Sequence, residues 1–268
     1  MINAAISDVI LDRVLRPEDR VLDVGGGRFP WFRATHVLDR RGYEQMVRPI
    51  AFAGRTGERE RFGEETWVVR DFYDLPWPFP DGFFDFSICM GTLEDLRDPL
   101  PICEELVRVS KAGYISTPTR AAESCFGVSR HPDTDGLPGY FHHRWFVEID
   151  GGELAFTMKH PLLSQHREHA VDDFHQHTLN FFWRGGFGAK EKVVSSIPGA
   201  LADLERFAGE HGEWRLRSEA QPSDPGERYN RWPAEWGERP VFLELPGVAG
   251  CHPAEELAKA ASGAGGGG

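Results

Sequence analysis

The chain has 268 residues, 40% of them hydrophobic and 27% charged, which suits a globular protein with a sizeable core, as one enlarged domain or a domain with a smaller attachment. Asp and Glu number 42 against 30 Lys and Arg, a formal charge of −12, so the surface repels phosphate backbones and nucleic acid is not expected as a substrate. Four scattered cysteines (Cys89, Cys103, Cys125, Cys251) form no C-x-x-C pair, and no run approaches about 18 apolar residues; a soluble, cytoplasmic protein is expected, without disulfide framework, zinc knuckle, signal segment or membrane span.

Ile6, Val9, Ile10 and Val14 recur at helical spacing and predict an amphipathic helix over residues 4–15, ended by Pro17. Residues 20–24 (RVLDV) read as a first strand running into Gly25-Gly26-Gly27. Residues 35–39 (THVLD) and 66–70 (TWVVR) read as the second and third strands. Residues 83–90 (FFDFSICM) form a fourth, apolar enough for burial on both faces. Asp98-Pro99 opens a helix with an apolar stripe of Leu100, Cys103, Leu106 and Val107, and residues 114–117 begin a fifth strand. Strands alternating with helices indicate an α/β fold with a doubly wound, mostly parallel sheet.

The second half reads differently. Residues 121–138 are loop-like, with Asp133 and Asp135 in a turn, and residues 141–159 are hairpin-like around Asp150-Gly151-Gly152. A short helix is expected over 199–209, carrying Leu201, Leu204 and Phe207, and a late strand over 241–245. Phe181, Phe182 and Trp183 read as core in preference to a pocket wall. The division is residues 1–120 as a ligand-binding α/β core, 121–250 as completing strands and a substrate-side cap, and 251–268 as a glycine-rich tail.

The glycine run after the first strand lets backbone approach a ligand that any Cβ would exclude. Asp39, ending the second strand, is placed to accept hydrogen bonds from ribose hydroxyls. Asp71, after the third, is placed to accept from an adenine amino group, with Phe72 packing on the ring. A dinucleotide would need a third glycine and a helix N-terminus for its pyrophosphate, but position 30 is Pro and residues 28–34 are too few for such a helix. An adenosine ligand without phosphate fits better. A tight turn in an unliganded protein is the plainer alternative.

The segment VLDVGGGRFPWFRATHVLD, followed by LPWPFPDGFFDFSIC and a helix ending ELVRVSKAGY, resembles class I S-adenosylmethionine-dependent methyltransferases of the type-11-like group over roughly residues 19–118. The resemblance implies a Rossmann-like methyltransferase fold with S-adenosyl-L-methionine as cofactor. It implies that Asp23, Gly25 and Gly27, with Gly26 between them, line the methionine end, that Asp39 holds the ribose and Asp71 and Phe72 the adenine, and that Met90 and Gly91 lie under the cofactor. The family's histidines after the fourth strand are absent. Gly91 and Asp95 of Met90-Gly91-Thr92-Leu93-Glu94-Asp95 stand in their places.

Methyl transfer demands alignment and exclusion of water, and a hydroxyl or amine acceptor must also lose a proton. Seven of the eleven histidines fall between His142 and His177. His142 or His143 is the first candidate base and Asp95 the second; packing around Trp145 is the plainer reading of the two histidines. Glu94 and Asp95 follow a strand edge, where substrate contact competes with helix capping or solvent exposure. His166, His169, His175 and His177, with Asp172 and Asp173, raise a metal-dependent enzyme as a rival, but HREHAVDDFHQH matches no familiar ligand spacing and no metal ligand is assigned. The expectation is transfer to a small molecule, such as a sugar or secondary metabolite. A cofactor-binding module without transferase activity is the other alternative.

Overall fold

The computed structural model describes residues 4–46, 59–129, 131–134, 136–171, 178–220 and 230–238. The late strand expected over 241–245, the tail, Asp135, Asp172, Asp173, His175, His177 and Cys251 lie outside the described residues.

Five short parallel strands form the central sheet: β1 (Val21–Val24), β2 (His36–Asp39), β3 (Trp67–Val69), β4 (Phe86–Met90) and β5 (Ala112–Pro118). The sheet continues through β8 (Thr178–Arg184), antiparallel to β5, and β10 (Asn230–Arg231), parallel to β8. Across the sheet the order is β10-β8-β5-β4-β1-β2-β3. The chain therefore winds outward from β1 through β2 to β3, returns to β4 beside β1, and continues to β5. A crevice opens at the carboxyl ends of β1 and β4, where the winding reverses.

Strand alternation decides what each face buries. Leu22, Val24, Leu38, Cys89 and Ile115 face helix α2 (Leu100–Val109) and a second sheet. Val21, Val37, Phe86, Ile88 and Phe182 face helix α1 (Ala4–Val9), Trp31 and Phe32 of the first crossover, and the rings of Trp232 and Trp236. Helix α1 continues as a wider π turn over Ile10–Val14, closed by Leu15 N–H donating to the Ile10 carbonyl at 2.9 Å. The stripe that α2 buries is Ile102, Cys103, Leu106 and Val109, so Val107 and Leu100 sit at its margins instead of its centre. Asp98 accepts from Leu100 N–H at 3.1 Å, just ahead of the helix.

The second sheet contains the expected hairpin, β6 (Trp145–Asp150) paired with β7 (Glu153–Met158), and β9 (Ala189–Lys192) alongside β7. Gly151 and Gly152 turn between β6 and β7 with φ of 64° and 81°, values that favour glycine at both places. Phe181, Phe182 and Trp183 are fully buried in β8, in keeping with core.

Two expectations are corrected. The helix expected over 199–209 is α5 (Ile197–Ala220), which buries Ala200, Leu204, Phe207 and His211 among the described side chains. The loop expected over 121–138 begins as a helical turn, α3 (Arg120–Glu123), where the Thr119 hydroxyl accepts from Ala122 N–H at 3.2 Å. Arg120, 0% exposed, donates to Glu148 on β6 at 2.9 Å and to Asp203 on α5 at 2.5 Å, between the rings of Phe146 and Phe207. This clasp ties the end of β5 to the second sheet and fixes α3 in orientation. Among the described residues no helix is long and apolar enough to cross a membrane.

Candidate active site

The turn after β1 is shaped by its contact with the turn after β4. Gly25 has φ +74°, and a Cβ there would lie 2.2 Å from Thr92 Oγ1. Gly26 rests on Asp23 and Pro30, where a Cβ would come within 2.9 Å of both. Gly27, at φ +57°, donates its N–H to Asp39 Oδ2 at 2.8 Å, and Arg41 N–H donates to Asp39 Oδ1 at 2.7 Å. Each Asp39 oxygen thus spends one lone pair on backbone and keeps one, so the carboxylate is fixed beside the glycine turn with acceptor capacity to spare. That is the geometry a ribose diol requires.

Asp23 lies below the turn, fully buried. Its Oδ2 accepts from Trp31 N–H at 2.7 Å, while Oδ1 has no hydrogen-bond partner among the described residues. Burial pushes its carboxyl up to about 7, against the lowering effect of the Trp31 bond. The folded chain therefore holds this proton to about pH 7, whereas the unfolded chain releases it near 3.8. The folded state binds more protons in that window, so stability falls as pH rises through it. Thermal unfolding should show a higher midpoint at pH 5.5 than at pH 8. Asp23→Asn, which keeps the acceptor for Trp31, should remove part of that difference; an unchanged slope would refute the assignment.

At the adenine end the two candidates part company. Asp71 is exposed, its Oδ1 accepting from Tyr73 N–H at 3.0 Å with Arg40 at 4.0 Å. Phe72 is drawn into the core cluster with Trp77 and Leu22, and its carbonyl accepts from Trp77 Nε1 at 3.0 Å. Its ring is part of the floor and offers no open stacking face, which corrects the sequence expectation. Val69, in register with Asp39 and 60% exposed, is the apolar surface offered beside that carboxylate. Met90 ends β4, half-buried, and Gly91 follows at φ +57° with its N–H donated to the Ser116 carbonyl at 2.9 Å.

Beyond Gly91 a 3-10 turn (Leu93–Asp95) carries two carboxylates into a charged cluster. Glu94 is 1% exposed, neither of its oxygens has a hydrogen-bond partner among the described residues, and burial pushes its carboxyl up to about 8. Neither capping nor solvent exposure describes it. Asp95 Oδ1 lies 3.8 Å from His142 Nε2 and 3.8 Å from His143 Nε2. Burial raises the Asp95 carboxyl above its ordinary value, against the neighbouring imidazoles. His143 Nδ1 is 2.7 Å from Glu123 Oε1, while Glu123 Oε2 accepts from Lys159 Nζ at 2.5 Å and Tyr140 N–H at 3.2 Å. Burial opposes charge on His143, but the Glu123 hydrogen bond and the carboxylates of Glu94 and Asp95 outweigh it and raise its basicity. Burial and the neighbouring His143 lower His142 instead.

The structure thus gathers Glu94, Asp95, His142 and His143, and adds Glu123 and Lys159, which sequence reasoning missed. Among the described residues, it does not bring His166 and His169 there. His166, Glu168 and His169 lie together on the surface near α4 (Leu162–Gln165), with His166 Nδ1 bonded to Glu168 at 3.0 Å. A cavity of about 310 Å³ lies on the other side of β1, lined by Leu11, Phe32, Arg16, Arg33, Arg59 and Arg61 among others. Arg33 and Arg61 there donate to backbone carbonyls of the segment before β1.

A mostly parallel sheet with a glycine turn after β1, a carboxylate at the end of β2 and no phosphate-binding helix between them has the Rossmann-like methyltransferase fold, whose cofactor is S-adenosyl-L-methionine. Residues 22–116 match the family model described as a methyltransferase domain, in keeping with the class I, type-11 group. The chain is also similar to solved structures. One is the YcgJ protein of Bacillus subtilis (22% identity, 43% of this chain and 50% of that one, TM-score 0.31). Another is a methyltransferase of Thermotoga maritima described as a possible histamine N-methyltransferase (21%, 53% and 64%, TM-score 0.33). A third is an S-adenosylmethionine-dependent methyltransferase of Mesorhizobium loti (16%, 76% and 79%, TM-score 0.32). The chain spans about half the length of the first of these. Comparison with curated proteins finds no match.

Proposed function

We propose that the chain is an S-adenosyl-L-methionine-dependent methyltransferase acting on a hydroxyl or amine of a small molecule. The observation that carries this reading is Asp39, locked by Gly27 and Arg41 beside a turn in which any Cβ at Gly25 would strike Thr92. When bound, S-adenosyl-L-methionine supplies an electrophilic methyl group. Asp39 holds the ribose hydroxyls, Val69 and Asp71 flank the adenine, and Gly25, Gly26, Gly27, Met90 and Gly91 form the shelf, with Asp23 beneath.

The family's missing histidines leave a vacancy in the sequence pattern after β4, and His143 reaches that turn from another segment. The row Glu123–His143–Asp95 can take the proton of an acceptor, since Glu123 orients the ring through Nδ1 and leaves Nε2 on the Asp95 side. A partly closed position, with His143 8% exposed, keeps competing water low. The acidic surface favours a neutral or cationic acceptor over a phosphorylated one.

Calorimetry with S-adenosyl-L-methionine and its demethylated product, followed by methyl turnover on a panel of small hydroxyl and amine compounds, tests the reading. Binding with turnover supports it. Binding without turnover on any acceptor would favour the cofactor-binding module, and no binding of either compound would overturn both.

A further inference from the structure

We infer that Asp95, His142 and His143 form a binding site for a divalent transition-metal ion. Asp95 Oδ1, His142 Nε2 and His143 Nε2 all lie within 4.8 Å of one another, with both Asp95-to-imidazole separations at 3.8 Å. Metal–ligand bonds of roughly 2.0–2.2 Å place neighbouring donors about 3.0–3.5 Å apart, so each Asp95-to-imidazole separation must contract by less than about 1 Å and the two imidazole nitrogens, within 4.8 Å of each other, must draw together as well. His142, half-exposed, has the freedom to make that movement.

Three further features distinguish this group from a chance cluster. First, His143 already has the partner that a metal-ligating histidine characteristically has: Nδ1 is bonded to Glu123 at 2.7 Å, which leaves the lone pair on Nε2. Glu123 is in turn held by Lys159 and Tyr140 N–H. Second, Asp95 Oδ1 is buried with no hydrogen-bond donor, and so are both oxygens of Glu94 next to it. The Lys159 ammonium is already paired with Glu123 and serves neither of these carboxyls, which face the His143 ring instead. Third, the donors are held in place by backbone ties. Arg144 N–H donates to the Glu94 carbonyl at 2.8 Å, and Trp145 Nε1 to the Leu96 carbonyl at 2.8 Å, so the segments bearing Asp95 and the two histidines are clipped together on both sides of the ligand set.

Two imidazoles and one carboxylate suit zinc, iron(II), cobalt(II) or nickel(II) better than magnesium or calcium, which prefer oxygen. Three protein donors leave coordination positions open. The role assigned to the ion, a seat for an oxygen or nitrogen of the methyl acceptor, replaces proton acceptance by His143 Nε2 in the ion-loaded protein and rests on the proposed methyltransferase reading; the ion's binding does not.

The test is cobalt(II) titration of the chelator-treated full chain, read by visible d–d absorption and by calorimetry. One equivalent should bind, with affinity at least tenfold weaker in His142→Ala and Asp95→Asn and unchanged in His166→Ala. S-adenosyl-L-methionine affinity, measured in parallel, should stay within about threefold of the parent in His142→Ala, showing that the variant is folded. Absence of a cobalt spectrum, a spectrum insensitive to both His142→Ala and Asp95→Asn, or one lost in His166→Ala would overturn the site. Cobalt binding without any cofactor binding would leave the metal site standing and sink the methyltransferase reading; cofactor binding with turnover that persists in chelator would do the reverse for the ion's role.

Discussion

Asp39→Asn should weaken S-adenosyl-L-methionine binding by about two orders of magnitude in calorimetry, with far less effect on the thermal midpoint. The carboxylate has two oxygens and two backbone donors, Gly27 N–H and Arg41 N–H, each using one lone pair. The remaining lone pairs are available to a vicinal diol, and hydrogen bonds to a charged group contribute about 1.5–3 kcal/mol each. The amide keeps one acceptor oxygen, so one of these bonds is lost and the other becomes a weaker neutral one, a combined cost of about 3 kcal/mol, or a little over a hundredfold. The amide turns an NH₂ group toward one of the two backbone donors, so the turn also loses one internal bond. Gly27→Ala is the companion: its φ of +57° disfavours a side chain, and a Cβ would stand 3.9 Å from Asp39 Oδ2, on the face the ribose must approach. If Asp39→Asn bound the cofactor within about threefold of the parent, the ribose would have to lie elsewhere and the shelf would lose its meaning.

How much of this was legible beforehand depended on whether local sequence or distant packing set each feature. The parallel sheet was legible because buried strands are short apolar runs bounded by turn residues, and RVLDVGGG and FFDFSICM are both. The glycine turn and the carboxylate beside it were legible because a glycine run after a strand and a strand-ending Asp are positional features of the backbone. Phe72 misled because an aromatic beside a candidate adenine site has the same sequence appearance whether it faces the ligand or the core; packing against Trp77 decided it. The stripe of α2 shifted by a residue because the second sheet, whose position no local pattern encodes, covers that helix from one side.

The acid–imidazole cluster shows the same division. Asp95, His142 and His143 stood out as polar residues at a strand edge and before an aromatic. Glu94 was named beside Asp95, but its burial was not legible, because a Glu in a short polar turn ordinarily faces water; here Arg144 N–H bonds to its carbonyl and its side chain is enclosed. Glu123 was hidden by a wrong reading of its segment. In a loop it would have been an ordinary acid; in α3, anchored by the buried Arg120 clasp, it is carried to His143 and Lys159. One signal was available: Thr119 followed by a short run ending in Glu123 resembles a helix start.

His143→Gln should lower the methyl-transfer rate on an identified acceptor by about 10² to 10³ while leaving S-adenosyl-L-methionine affinity nearly unchanged. A positioned proton acceptor contributes typically about 10²–10⁴ to rate. Glutamine can keep a donor toward Glu123 but offers no basic nitrogen on the Asp95 side, so orientation survives and proton acceptance is lost. The split between rate and affinity separates this from a structural defect, because unfolding of the turn after β4 would disturb Thr92 and Gly91, and cofactor binding with them. Glu123→Gln should produce a smaller loss, since the ring remains in place but loses the charged partner that fixes its tautomer. Adding exogenous imidazole to His143→Ala, which opens the space the ring occupied, should restore part of the rate if the residue acts on the acceptor's proton. Unchanged turnover in His143→Gln would remove the histidine from the chemistry and leave Asp95 as the nearest remaining base.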